Sequence, residues 1–151
     1  MRTGERSGNK TMHKRLRNQR GAALIETAIT IPLVLLVSVS IFEFGRAYQT
    51  WQVLTNAARE GARIAVLEGY TDAQVTSTVR NYLTGGQLSN ASTASINIVR
   101  NVPFGAVTAS RVTVNYPFQF MVLNPVARIV RSGSSVGTPL TMQSSALMRN
   151  E

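Results

Sequence analysis

The sequence of 151 residues contains no cysteine, and its single histidine, His13, lies close to the N-terminus. Without cysteine the chain can form no disulfide, no thiolate nucleophile and no cysteine-ligated metal site. The position of the one histidine excludes histidine-based catalytic triads and histidine-ligated metals from everything after the first twenty residues. We therefore expect neither a metal ion nor another cofactor.

Acidic residues are also scarce, with only seven aspartates and glutamates in the chain. After Glu43 the carboxylates are confined to Glu60, Glu68, Asp72 and the terminal Glu151. This set is too small and too scattered for a paired general acid and base. No glycine-rich phosphate loop is present either. The sequence predicts a structural or interaction protein, with no enzyme activity and no small-molecule substrate.

The net charge of +9 comes mostly from the first twenty residues. Their seven cations face only one anion, Glu5. The cations are Arg2, Arg6, Lys10, Lys14, Arg15, Arg17 and Arg20. Nucleic-acid binding requires cations clustered on a folded surface, so we predict no nucleic-acid partner. A polar basic segment of this kind is expected to be disordered.

The rest of the chain is organised around a long apolar run. No charged side chain occurs between Thr27 and Phe42. Counted from Ala22, the segment has about 20 residues, the length that crosses a bilayer as a helix. By the positive-inside rule the basic leader, residues 1–21, stays in the cytoplasm, residues 22–42 span the membrane once, and residues 43–151 lie on the opposite side.

Glu26 is the one charge inside this membrane-length segment. A carboxylate in the hydrocarbon region costs a few kcal/mol or more, so such residues are functional candidates. The alternative is that Glu26, about one turn from the start of the helix, only reaches the headgroup layer. Pro32 leaves the carbonyl of Ala28 without its helical donor, a carbonyl that Thr30 or a nearby serine could satisfy.

A stripe of mostly small residues continues the helical rhythm beyond the apolar run. Its members are Ala47, Trp51, Leu54, Ala58, Gly61 and Ala65. They predict one helix from Ala22 to about Leu67, roughly 70 Å long. A helical glycine costs about 1 kcal/mol relative to alanine, so Gly61 requires a close approach. That approach is either a sheet of the same chain or a helix of another subunit.

A small α+β domain is predicted after Gly69. Thr71 and Gln74 form a capping box that opens a second helix, and Gly85 and Gly86 stop it. Alternating apolar residues predict three short strands that pack on the long helix. The expected ranges are 72–84 for the second helix and about 94–102, 111–120 and 139–148 for the strands.

Two prolines and two loops complete this prediction. Pro103 is expected to end the first strand, and Pro117 to place the second strand at a sheet edge or to break it. Met121–Val130 is expected to be a loop with a short amphipathic turn that caps the core. Residues 132–137 are expected to form a flexible connection.

The basic leader, Gly21, Glu26 and the apolar run together resemble the processing site of type IV prepilin-like proteins of the Flp/Tad subclass. The segments Phe42–Ala47 and Asn56–Arg63, and the C-terminal Ser144–Arg149, resemble TadE-like proteins. This resemblance implies a pilin-like fold and cleavage between Gly21 and Ala22 by a prepilin peptidase. Flp-type sites have tyrosine after the glutamate, whereas this chain has Thr27.

The resemblance further implies a minor pseudopilin of a Tad/Flp pilus or secretion apparatus, held in the inner membrane and acting in pilus assembly. Its partners would be the peptidase, other pilins and pseudopilins, and the inner-membrane assembly platform. Glu26 would serve recognition by the peptidase and assembly. Arg59, Glu60 and Arg63 would be inter-subunit contacts, the alternative being an ordinary solvated face.

Two alternatives lead to a different class of protein. An uncut leader would leave a permanently anchored module whose sheet binds a partner. A Sec signal peptide, with its apolar region near Ile29–Val37 and a cut near Ser38 or Ser40, would release a secreted binding module.

Overall fold

The computed structural model describes residues 9–130 and 138–150. Its helices are α1 (Asn9–Ala65), α2 (Asp72–Gly85) and α3 (Leu123–Val130), and its strands are β1 (Ser95–Phe104), β2 (Val107–Phe118) and β3 (Leu140–Arg149). The prediction of an α+β fold with a long N-terminal helix, a second helix and three antiparallel strands is confirmed. The predicted connection at 132–137 and the first eight residues of the leader lie outside the described residues.

The chain divides into two compact units, residues 1–41 and 42–151. Helix α1 begins at Asn9, well before the predicted start at Ala22. Residues 9–20 contain no proline and are rich in lysine, arginine and other good helix formers, which explains the extension. The prediction of a disordered leader is therefore wrong for residues 9–20.

In the first unit, the side chains from Arg20 onward are exposed or nearly so. The helix is apolar enough to cross a membrane by length and composition, with a mean hydropathy of 2.2 over eighteen residues. Its four hydroxyls between Thr27 and Phe42 each donate to the carbonyl four residues earlier, at 2.7–2.9 Å. These bonds satisfy each hydroxyl within its own helix, as a bilayer requires. Thr30 donates to the carbonyl of Glu26, Ser38 to that of Val34 and Ser40 to that of Leu36, so none of these hydroxyls satisfies the carbonyl of Ala28.

The core of the second unit forms where α1 packs against α2 and the sheet. The buried apolar residues of α1 are Leu54, Ala57, Ala58, Ala62 and Ala65. Trp51 does not belong to this stripe, because its side chain is exposed, and Thr50 is buried one position earlier. Thr50 tolerates burial because its hydroxyl donates to the carbonyl of Arg46 at 3.0 Å.

Gly61 lies at a close approach within this core. A Cβ atom at Gly61 would stand 2.5 Å from Cγ2 of Val79 in α2 and 3.2 Å from Cγ1 of Val112 in β2. Both distances are shorter than carbon atoms tolerate without displacement. Contacts within the same chain therefore explain the glycine, and the alternative of a helix from another subunit is not needed for it.

Helix α2 begins with the predicted capping box. The side chain of Thr71 accepts from the backbone N–H of Gln74 at 3.4 Å, and the Gln74 side chain accepts from the Thr71 N–H at 2.8 Å. The apolar face of α2 buries Val75, Val79 and Leu83. Burying each such side chain contributes about 1.5–3 kcal/mol, so this face holds α2 to the core.

The sheet has the order β1-β2-β3, so β2 is central, and the prediction that Pro117 marks an edge strand is wrong. Pro117 pairs with Thr141 of β3, but β1 reaches along β2 only as far as Asn115. The Pro117 carbonyl accepts from the side chain of Asn90, on the side where β1 has ended. Because N–H and C=O of one strand residue point the same way, the missing N–H costs no ladder bond.

Pro103 does not end β1, which continues to Phe104. Since β1 is an outer strand, a residue that cannot donate is tolerated there. The pair Phe104 and Val107 then closes a hairpin with two loop residues, of which Gly105 has a φ of 61°. A positive φ at this position is characteristic of tight hairpin turns and explains the glycine.

A bulge in β1 directs Arg100 to the end of α1. The register shifts between Val99 and Val102, and Asn101 has a φ of 57°. Arg100 donates to the carbonyl of Ala65 at 2.7 Å, to that of Tyr70 at 2.9 Å and to Asp72 Oδ1 at 2.8 Å. This one side chain satisfies a C-terminal carbonyl of α1 and anchors the turn that leads to α2.

Candidate functional site

The predicted processing residues lie in the first unit, within α1. Gly21 and Ala22 are exposed, and a Cβ atom at Gly21 would meet nothing within 4 Å. Packing among the described residues therefore does not require glycine at this position, in contrast to Gly61. A requirement for Gly21 would have to come from another molecule or from the backbone itself.

Glu26 lies one turn further along the same exposed helix. Its backbone carbonyl accepts from Thr30, but in the described part of the chain its carboxylate forms no ion pair or hydrogen bond. A carboxylate placed in hydrocarbon without a partner is costly, so it favours any arrangement that supplies a cation.

Of the three charged residues predicted as inter-subunit contacts, two pair with each other and the third does not join them. Arg63 donates to both carboxylate oxygens of Glu60, at 2.7 and 3.0 Å, across one turn of α1. This hydrogen bonding lowers the pKa of Glu60 and raises that of Arg63. Arg59 is exposed and has no such partner among residues 9–130 and 138–150. Glu60 and Arg63 thus form an ion pair within the chain, and Arg59 does not take part in it.

A buried carboxylate that was not selected from the sequence lies at the start of the second unit. Only 2% of Glu43 is exposed, although it is charged. Its Oε2 and Oε1 accept from the backbone N–H of Met121 at 2.8 and 3.1 Å. Arg46, one turn along α1, has Nη2 3.6 Å from Oε2 of Glu43. Burial of this carboxylate is tolerated because a donor and a cation both face it.

Arg46 extends these contacts to the end of β2. Its Nη2 donates to the carbonyl of Gln119, and its Cζ lies 4.7 Å from the ring centroid of Phe118. At this distance the guanidinium is attracted to the face of the ring. We call Glu43, Arg46, Phe118, Gln119 and Met121 the Glu43 cluster. It fixes the end of β2 and the following turn against α1.

The sequence held only a partial signal for this cluster. Glu43 is the first charge after the apolar run and stands one turn before Arg46, a spacing at which opposite charges on a helix are neighbours. Its burial could not be foreseen, because it depends on where β2 ends. The acceptor role of Glu43 needs the N–H of Met121, which is 78 positions away.

Among residues 9–130 and 138–150, no group of three or more histidines, aspartates or glutamates could hold a metal ion.

Fold and site together define an α+β protein with a long apolar N-terminal helix suited to membrane anchoring. Residues 21–63 match the model of a family described as TadE-like protein, which confirms the resemblance found in the sequence. The match covers somewhat more than a quarter of the chain and includes Gly21, Glu26 and Glu43. It points to a component associated with a Tad pilus. No curated protein and no solved structure matches the chain.

Proposed function

We propose that this protein is a minor pseudopilin-type component of a Tad/Flp pilus or secretion apparatus and acts in pilus assembly. The observation that carries the proposal is the unpartnered carboxylate of Glu26. It follows Gly21 by five residues, within an exposed apolar helix and inside the TadE-like segment. Neither packing nor pairing within the described chain accounts for either residue.

The proposed sequence of events begins with insertion of the apolar helix into the inner membrane, with the basic leader in the cytoplasm. A prepilin peptidase then cuts between Gly21 and Ala22. The new α-amino group of Ala22 is a cation that can pair with Glu26 of a neighbouring pilin or pseudopilin. Such a pair neutralises two charges in lipid and fixes the axial register of adjacent subunits.

Cleavage requires α1 to open locally, because the helix runs through the proposed cut from Asn9 onward. Glycine lowers the cost of this opening, since it stabilises a helix by about 1 kcal/mol less than alanine does. Gly21 therefore supports both access to the bond and recognition by the peptidase.

The second unit would present Arg59, Glu60 and Arg63 to neighbouring pilins or to the inner-membrane assembly platform. Because Glu60 and Arg63 already neutralise each other, Arg59 carries the net positive charge of this group. An acidic partner surface would recognise Arg59 first, and the contact would weaken with salt.

The deciding experiment determines the N-terminus and intact mass of the protein from its own membranes, beside Gly21→Leu. We expect a mature chain that starts at Ala22 and a variant that keeps its leader. Gly45→Leu is the matched control, because Gly45 is also a helical glycine with nothing near its missing Cβ. This control should be processed like the natural chain.

Two other results would contradict the proposal. A start near Ile41 would indicate ordinary secretion of a binding module. Retention of residues 1–21 in both proteins would indicate a permanent anchor, and the proposed role of Glu26 would then be lost.

A further inference from the structure

The segment that follows β2 exposes apolar side chains that the core does not use. Met121 is 69% exposed, Val122 42% and Ile129, in α3, 85%. The expected role of this segment as a cap of the core is wrong, because Phe120 alone among residues 120–129 packs against the buried cluster. Several exposed apolar side chains within one short segment indicate a contact surface.

The Glu43 cluster determines where this segment lies. The Met121 N–H bonds to Glu43, and the ring of Phe120 meets that of Phe44 edge-on at 5.8 Å between centroids. Glu43 is the residue directly after the apolar run that ends at Phe42. Chain connectivity therefore places Met121 within a few ångströms of the point where a membrane-spanning helix would leave the hydrocarbon.

Helix α1 contributes further exposed apolar groups next to this point. Phe42 is 74% exposed and Phe44 61% exposed. Tyr48 and Trp51 follow on the same helix with their rings 6.2 Å apart. Aromatic residues are enriched where a protein crosses from hydrocarbon to water. The open face of the sheet differs, since it consists largely of polar residues such as Asn97, Thr113 and Ser145.

We propose that Phe42, Phe44, Met121, Val122 and Ile129 form a membrane-proximal surface that inserts into the headgroup boundary of the bilayer. A lipid occupant is favoured over a protein because Phe42 ends the apolar run, Phe44 lies two residues further on, and Met121 is hydrogen-bonded to Glu43 between them. Residues of an interfacial helix enter this boundary by about 5–10 Å. The inference rests on membrane anchoring of the apolar helix and not on the pilus role.

The absence of cysteine makes the test direct, because single cysteines can be introduced into the full chain and spin-labelled. The protein is reconstituted in vesicles of phosphatidylethanolamine and phosphatidylglycerol, and each label is probed with oxygen and with a water-soluble nickel complex. Ile129→Cys reports the proposed surface. Val99→Cys, at another exposed apolar residue on β1, is the matched control, and Val34→Cys reports the hydrocarbon.

We expect the ratio of oxygen to nickel accessibility at residue 129 to exceed that at residue 99 several-fold and to fall below that at residue 34. Equal ratios at 129 and 99 would overturn the inference. Shielding of residue 129 from both reagents would indicate a protein contact and would overturn it too. A water-like ratio at residue 34 would remove the anchoring on which it rests. Since Ile129 is exposed, its replacement should leave the fold intact.

Discussion

The two halves of α1 differ in whether the chain covers their apolar side chains, although they form one helix. Residues 20–41 present large apolar side chains in every direction, and nearly all of them are exposed. Residues 42–65 bury a narrow stripe of small residues, such as Ala58 and Ala62, under α2 and the sheet. The described chain therefore leaves the apolar side chains of the first half uncovered, whereas it covers those of the second half.

The same contrast holds for the two glutamates of the helix. Glu43 is buried with a donor and a cation supplied by its own chain. Glu26 is exposed, and the described residues offer its carboxylate nothing. The carboxylate of Glu43 is held by its own chain, whereas that of Glu26 is open to the partner that we propose for it in another molecule.

The largest effect should come from filling the space beside Gly61 in the second half of α1. Gly61→Leu forces side-chain atoms into Val79 and Val112, and we expect the free energy of unfolding to fall by about 2–3 kcal/mol. Gly45→Leu should leave it unchanged or raise it slightly, since it gains helix propensity without a clash. The free energy of unfolding of both variants is measured by denaturant unfolding of the full chain in detergent. Hydrogen exchange of the β2 amides provides a second measurement. Equal stability of the two variants would contradict the packing argument.

A smaller effect should separate the two glutamates. Glu43→Gln weakens the bond to the Met121 amide and leaves Arg46 without its anion, so we expect a loss of about 1–3 kcal/mol. Hydrogen exchange at Met121 should accelerate in this variant. Glu26→Gln should leave unfolding unchanged but reduce co-purification of other pilins. Loss of stability in Glu26→Gln, or none in Glu43→Gln, would reverse our assignment of roles.

The smallest effect concerns the exposed pair of Glu60 and Arg63. Because the pKa of folded Glu60 lies below its ordinary value of 4.5, the pair stabilises the fold above that pH. This stabilisation is lost as the pH falls through the lowered pKa of the folded state. Glu60→Gln should therefore be slightly less stable than the natural chain at neutral pH and equal to it in strong acid. A difference that persists in acid would point to packing instead of charge.

Features set by near neighbours were predictable from the sequence. The capping box of Thr71 and Gln74 is formed by residues three positions apart. Gly61 was identified as a point of close approach because a glycine inside a helix is otherwise unfavourable. The membrane-length run and the resemblance at Gly21 and Glu26 are likewise local patterns, and the family match covers them.

Features set by strand order and by distant partners were not predictable. The prediction failed at Pro117 because it allowed only an edge strand or a broken strand, whereas a proline is tolerated in this central strand where its neighbour β1 has ended. Trp51 was counted in the apolar stripe of α1 by its spacing, but it is exposed, and Thr50 is buried one position earlier. The Glu43 cluster was only partly visible, because its central hydrogen bond joins residues far apart in sequence.

By itself, the sequence determined what depends on composition and short spacing: the basic leader, the membrane-length helix, the helix cap and the TadE-like segment. The first three follow from charge, transfer free energies and local backbone bonds, which need no knowledge of the fold, whereas the TadE-like segment is known from its resemblance to a family. The tertiary structure alone decided that Glu43 is buried, that Arg100 closes the end of α1, and that Ile129 is left exposed. Each of these depends on which distant backbone groups the sheet brings within hydrogen-bonding distance.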